Sequence, residues 1–120
     1  RDRTLALACV GGEGLEKDPA RAAALYEKAC GLGERKSCAN LGVLHENGEG
    51  VPKDLSRARE LYVLACDWGD AVGCNNLADV HENGTGGPVD AEAAVRFYRK
   101  SCGLGYQPAC ASAENVGKRP

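Results

Sequence analysis

Paired cysteines constrain this chain more than any other feature. Cys30 and Cys38, Cys66 and Cys74, and Cys102 and Cys110 each stand eight residues apart, and the pairs recur every thirty-six residues. A fixed period of that length means one supersecondary unit copied along the chain. Regular pairing means that each unit can carry its own covalent staple. Other residues keep the same offset. The stretch Leu41-Gly42-Val43-Leu44-His45-Glu46-Asn47-Gly48 returns as Leu77-Ala78-Asp79-Val80-His81-Glu82-Asn83-Gly84, with a weaker first copy from Leu5 to Gly12. Tyr26, Tyr62 and Tyr98 share one register, Asp18, Asp54 and Asp90 another, and Gly14, Gly50 and Gly86 a third. So many coincidences at one offset exclude chance.

Each unit reads as two antiparallel helices. The first, around 38–47, sets Cys38, Leu41, Leu44 and His45 on one side at helical spacing, and Gly48 follows where a left-handed cap belongs. The loop from Gly48 to Lys53 turns the chain. Asp54 can cap a second helix running to about Cys66, with Ala58, Leu61, Tyr62 and Ala65 inward. Asp18-Pro19 is a clearer start still, with proline at the first helical position. Gly31-Leu32-Gly33 and Gly103-Leu104-Gly105 end second helices. No alternating β-rich segment competes, so the expected fold is all-α: a right-handed solenoid of αα-hairpins in 36-residue repeats.

The 120 residues hold about three such units, expected near 2–37, 38–73 and 74–109, with a partial unit at 110–116 and a tail at 117–120. The chain opens partway into a unit and contains no Met, so it is expected to be a piece of a longer protein. Ala6-Leu7-Ala8-Cys9 looks like the end of a lipoprotein signal, but the apolar stretch before it is too short, and Cys9 shares the register of His45 and His81. Nothing approaches the ~18 continuous apolar residues of a membrane span. The net charge is −2 with basic residues scattered, which argues against nucleic acid as a partner.

The motif Leu41-Gly42-x-Leu44-His45-x-x-Gly48-x-Gly50-Val51-x-x-Asp54, followed by Ala58, Tyr62, Ala65 and Gly69, closely resembles the Sel-one-like repeat, a relative of the tetratricopeptide repeat. It departs from that pattern in two respects. Histidine (His45, His81) or cysteine (Cys9) stands where an aromatic often follows the leucine, and cysteines replace the alanines near the inter-unit turn. The second departure is similar to the Hcp family of secreted, cysteine-rich repeat proteins. That resemblance implies a bridge from the end of one helix to the start of the next, hence one disulfide per repeat junction.

Helices joined by a short turn pack ~8–10 Å apart, which lets inward cysteines approach the ~5.5–6 Å Cα separation of a disulfide. Closing so short a loop is worth roughly 2–3 kcal/mol. Reduced, buried cysteine is the plain alternative. Zinc fits less well, because each pair gives two thiolates where a structural site takes four ligands. Disulfides imply an oxidising, extracytoplasmic compartment. Cys9 is the odd thiol of seven. His45 and His81 read as substitutes for the aromatic, packed against the second helix of their own unit, because successive copies stand ~10 Å apart and zinc bonds are ~2 Å. No metal ligands, cofactor or catalytic residues are assigned.

The Hcp resemblance brings one enzymatic alternative, penicillin-binding or weak β-lactamase activity. That chemistry needs Ser-x-x-Lys with Lys-Thr-Gly. None of Ser37, Ser56, Ser101 and Ser112 has lysine three residues later, and no Lys-Thr-Gly exists. Glu46 and Glu82 read as solvated surface residues. Binding is the favoured task. First helices of stacked hairpins line a concave face, where Asn40, Val43 and Asn47 recur as Asn76, Asp79 and Asn83. Amides both donate and accept, so this set is expected to hold the main chain of a protein or peptide segment. The plain reading makes them solvated residues, with Asn47 and Asn83 merely ending their helices. A third possibility is a spacer within a longer array.

Overall fold

The structure, a computed structural model, describes residues 18–118. Cys9, the stretch from Leu5 to Gly12, Gly14 and the last two residues lie outside them. Six helices follow in order: α1 (Pro19–Gly31), α2 (Arg35–Asn47), α3 (Leu55–Asp67), α4 (Ala71–Asn83), α5 (Ala91–Gly103) and α6 (Gln107–Gly117). No strand occurs among the described residues. The chain is all-α.

The caps explain the bounds. Asp18, Asp54 and Asp90 each accept a hydrogen bond from the backbone N–H three residues on, at 3.0 Å, and so start α1, α3 and α5. Gly48 and Gly84 end α2 and α4 in the left-handed region, at φ 70° and 73°. Between units the chain closes each helix with a Schellman pattern. Gly33 N–H donates to Cys30 O and Glu34 N–H to Ala29 O, and the same pair of bonds recurs at Gly69–Asp70 and Gly105–Tyr106. Glu34, Asp70 and Tyr106 thus close one helix and open the next. For that reason α2 begins at Arg35, three residues before the start at 38 that the apolar pattern suggests.

Each hairpin buries its repeat columns. Ala22, Ala58 and Ala94, Tyr26, Tyr62 and Tyr98, and Leu41 and Leu77 are all buried, and the buried and half-buried apolar residues form three clusters that each draw on three successive helices. The three cysteine pairs are disulfides across the junctions α1–α2, α3–α4 and α5–α6. Their Cα separations are 4.7, 4.4 and 4.9 Å, shorter than the ~5.5–6 Å mode. Small residues allow it: Ala29 with Ser37, Ala65 with Gly73 and Ser101 with Ala109 are buried just before each pair. A Cβ on Gly73 would stand 2.6 Å from that of Ala65.

A second joint links units through the loops. Gly86, at φ 73°, lies so close to the start of α3 that a Cβ would fall 2.7 Å from Leu55 O. Arg59 of α3 reaches the same loop and donates to Thr85 O at 3.0 Å and Val80 O at 3.5 Å. It places a cation at the C-terminus of the next unit's first helix, where the helix dipole favours one. Helices α2 and α4 also meet, whereas α3 and α5 make no comparable approach, so the first helices occupy the inner curve.

Candidate functional site

The inner curve between α2 and α4 gathers the residues expected to bind. Asn40 and Asn76 are half-buried at equivalent places in the two helices, and neither makes a hydrogen bond within the described residues. Val43 is 36% exposed, and Asn83 is exposed. Asn47 donates from Nδ2 to Glu49 Oε1 at 3.1 Å, which ties it to the end of its own helix. Asp79 is half-buried and accepts from the Tyr98 hydroxyl.

Glu46 and Glu82 are not the freely solvated residues that the sequence suggests. Both are half-buried, and each accepts a hydrogen bond at 2.7 Å from the buried tyrosine of its own unit, Tyr62 on Glu46 and Tyr98 on Glu82. A buried phenol needs a partner for its hydroxyl, and the carboxylate three positions past the apolar seam supplies it. The signal was available: the Glu46 and Glu82 column precedes the Tyr62 and Tyr98 column by a constant sixteen residues.

These carboxylates crowd one another. Burial, with the negative charges of Glu82 and Glu46 nearby, pushes the Asp79 carboxyl above its ordinary value, and the Tyr98 hydrogen bond only partly opposes this. Burial and the same carboxylates raise the Tyr62 and Tyr98 hydroxyls, which therefore stay protonated donors. Toward the N-terminal ends of α2 and α4 the groove deepens into a pocket of about 180 Å³ lined by Lys36, Ala39, Asn40, Asp70 and Val72. Asp70 is 5% exposed and accepts at Oδ2 from Gly73 N–H, at 2.9 Å.

The histidines lie on the other side of these helices, toward the second helix and loop of their units. His45 Nδ1–H donates to Pro52 O at 3.2 Å. His81 stacks on Phe97 of α5, with ring centroids 5.5 Å apart. No cluster of His, Cys, Asp and Glu able to hold a metal occurs among the described residues. Ser37 and Ser101 are fully buried, and Ser101 donates to Ala71 O at 2.6 Å. Ser112 donates to Pro108 O of its own helix. No described helix is long and apolar enough to cross a membrane.

A solenoid of this geometry, with 36-residue helical hairpins and a polar inner groove, defines a repeat protein of the tetratricopeptide-related class. The Sel1 repeat profile matches residues 5–34, 35–70 and 71–106, and the chain belongs to the Sel1 repeat family. Among solved structures it is similar to a Sel1 repeat protein from Oxalobacter formigenes, at 28% identity and a TM-score of 0.86, over 98% of this chain and 47% of that one. It is also similar to a protective antigen with an SLR fold from uropathogenic Escherichia coli strains, at 30% identity and a TM-score of 0.83, over 91% of this chain and 23% of that one. A third similarity is to cysteine rich protein B of Helicobacter pylori, at 34% identity and a TM-score of 0.75, over 78% of this chain and 71% of that one. The chain thus spans about half of the first of these proteins and about a quarter of the second. Curated protein sequences contain no match.

Proposed function

We propose that this protein is a binding scaffold that holds an extended protein or peptide segment in the groove between α2 and α4. One observation carries the reading: Asn40 and Asn76 stand half-buried at equivalent places with every amide donor and acceptor unclaimed by the described residues. Half-buried amides without partners cost stability unless something else meets them. A peptide main chain offers the matching N–H and C=O at regular intervals. Val43 adds apolar contact, while Asp79 and Asn83 extend the row; Asn47 contributes least, being held by Glu49. The Sel1 fold, commonly an interaction scaffold, supports the same reading. Three disulfides and the likeness to the cysteine-rich Helicobacter pylori protein support an extracytoplasmic setting.

The test is the double variant Asn40→Ala, Asn76→Ala. Neither side chain packs in the core, so thermal stability should change by less than about 0.5 kcal/mol. Peptides selected on the immobilised wild-type protein from a displayed random library should lose measurable binding to the variant. Retained affinity in a titration would move the site elsewhere on the molecule.

A further inference from the structure

Independently of the groove, we infer that the edge formed by the three disulfide-bridged turns lies against an anionic lipid bilayer. Exposed apolar side chains gather there. Leu32, Trp68 and Leu104 share one register at the tips of the turns and are 77%, 43% and 45% exposed. Val63 and Leu64 in the closing turns of α3, and Val72 in the first turn of α4, widen the patch in the middle unit. Elsewhere among the described residues only Val43 and Val89 are large, apolar and exposed. A gathering of this kind marks an interaction surface. Two hydrogen bonds set neighbouring turns side by side. Arg35 Nη1–H donates to Trp68 O at 3.3 Å, and the Ser101 hydroxyl donates to Ala71 O at 2.6 Å. The tips therefore form one row.

The row projects and encloses no cleft. A Cβ added at Gly31, Gly33, Gly69, Gly103 or Gly105 would meet nothing within 4 Å. Gly31 and Gly103 do not have positive φ either, so neither backbone conformation nor crowding demands glycine there. Their effect is to leave Leu32 and Leu104 bare. A protein partner would need a separate hollow for each tip, whereas a fluid bilayer interface yields to all three. Tryptophan favours the headgroup level, and long cationic side chains favour anionic headgroups. Charge fits such a surface. The chain carries −2 overall, yet on this edge the exposed cations Lys28, Arg35, Lys36, Arg99 and Lys100 outnumber exposed Glu27 and Asp67 and half-buried Glu34. In the middle unit the registers of those cations hold Leu64, Ala71, Val72 and Val63. The edge is thus apolar at its centre and cationic at both ends. Apolar contact and attraction to anionic lipid together hold a protein on a bilayer without a spanning helix.

Trp68 is the one tryptophan of the chain and reports on the contact directly. Vesicles of phosphatidylcholine and phosphatidylglycerol in equal parts, at low salt, should pellet the protein and shift its emission to the blue. Brominated acyl chains should quench that emission. Vesicles of phosphatidylcholine alone should bind at least about tenfold more weakly, because each basic side chain near an anionic surface contributes separately. Leu32→Ser, Leu104→Ser should lower partition into the anionic vesicles by about tenfold or more, through lost apolar contact. Both leucines are exposed, so circular dichroism and the melting temperature should match the wild type. Asn40→Ala, Asn76→Ala should partition normally, which separates this edge from the groove. No partition at millimolar lipid overturns the inference. So does equal partition into the two kinds of vesicle, partition without a blue shift or quenching, or unchanged partition of the leucine variant. Sedimentation equilibrium showing a dimer that Leu32→Ser, Leu104→Ser abolishes assigns the edge to a second copy and overturns it. Selected peptides that bind the wild type and the asparagine variant but fail on the leucine variant assign it to a protein, with the same consequence.

Discussion

His45 and His81 occupy one register and meet different fates, which shows where a residue's environment departs from its column. His45 Nδ1–H finds Pro52 O, whereas the Nδ1 of His81 is buried without a hydrogen-bond partner among the described residues. His81 instead stacks on Phe97, where the register of His45 offers Leu61. Burial lowers the His81 pKa and the charge of Arg59 lowers it further, Asp90 opposes them, and Arg96 adds the smallest lowering effect. A lowered folded pKa means that the unfolded chain binds the proton more readily. Stability from this residue is therefore complete above the unfolded value, ~6.5, and is lost as pH falls below it toward the lowered folded value. Replacing His81 with Phe keeps the stack and removes the titration. Melting curves between pH 7 and pH 5 should show a smaller acid loss in His81→Phe than in the wild type, and identical slopes would exclude His81 as a source. Sequence reading at this scale reached the packing of His81 on the second helix of its own unit, which register carries, whereas the contact of His45 is with Pro52 O in the loop. It missed the link from Asp79 to Tyr98, because Asp79 stands in the register of Val43 and recurs nowhere that could reveal a pattern.

At the scale of elements, most of the architecture was legible because capping chemistry recurs with the period. Asp54 and Asp90 announce α3 and α5, and Gly48 and Gly84 end α2 and α4. The starts of α2 and α4 were less legible. They are set by Schellman bonds from residues that close the preceding helix, and the apolar pattern begins only at Cys38 and Cys74. The joint between units was hidden for a different reason. Arg59 aligns with Ala23 and Val95, so no column marks it, yet it is the side chain that ties α3 to the end of α4. Its Nε is buried without a partner, and the guanidinium pairs with no carboxylate among the described residues, so its contribution comes from the two carbonyls and the helix dipole. Arg59→Ala removes a charge-assisted contact and exposes those carbonyls, at an expected cost of about 1–3 kcal/mol. Urea denaturation measures it. Arg59→Lys should recover only part of the loss, since both bonds run from Arg59 Nη2, which stands one bond further from the backbone than a lysine nitrogen can reach. A full-strength Arg59→Ala variant would show the contact to be incidental.

The whole molecule is a row of hairpins in which each unit touches its neighbours, so stability is close to a sum of unit and junction contributions. The disulfides sit at the junctions, where each closes a short loop worth ~2–3 kcal/mol. Equal spacing in the sequence makes the three look equivalent; the fold does not. Cys66 and Cys74 are wholly inaccessible, with Ala65 and Gly73 pressed beside them and hairpins on both sides. Cys38 is likewise buried and Cys30 nearly so, whereas Cys102 and Cys110 are half-exposed and line an open pocket with Arg99, Gln107 and Glu114. Reduction proceeds by attack of a thiolate on sulfur, so access decides the order when the chain stays folded. Limited reduction under native conditions, trapped by alkylation and mapped by mass spectrometry, should label Cys102 and Cys110 first. Cys66 and Cys74 should react only at the rate of opening of the whole array, and denaturant should erase the difference between the pairs. Early labelling of Cys66 and Cys74 in the folded protein would mean that the α3–α4 junction opens locally, and the additive picture of the array would fail at its centre.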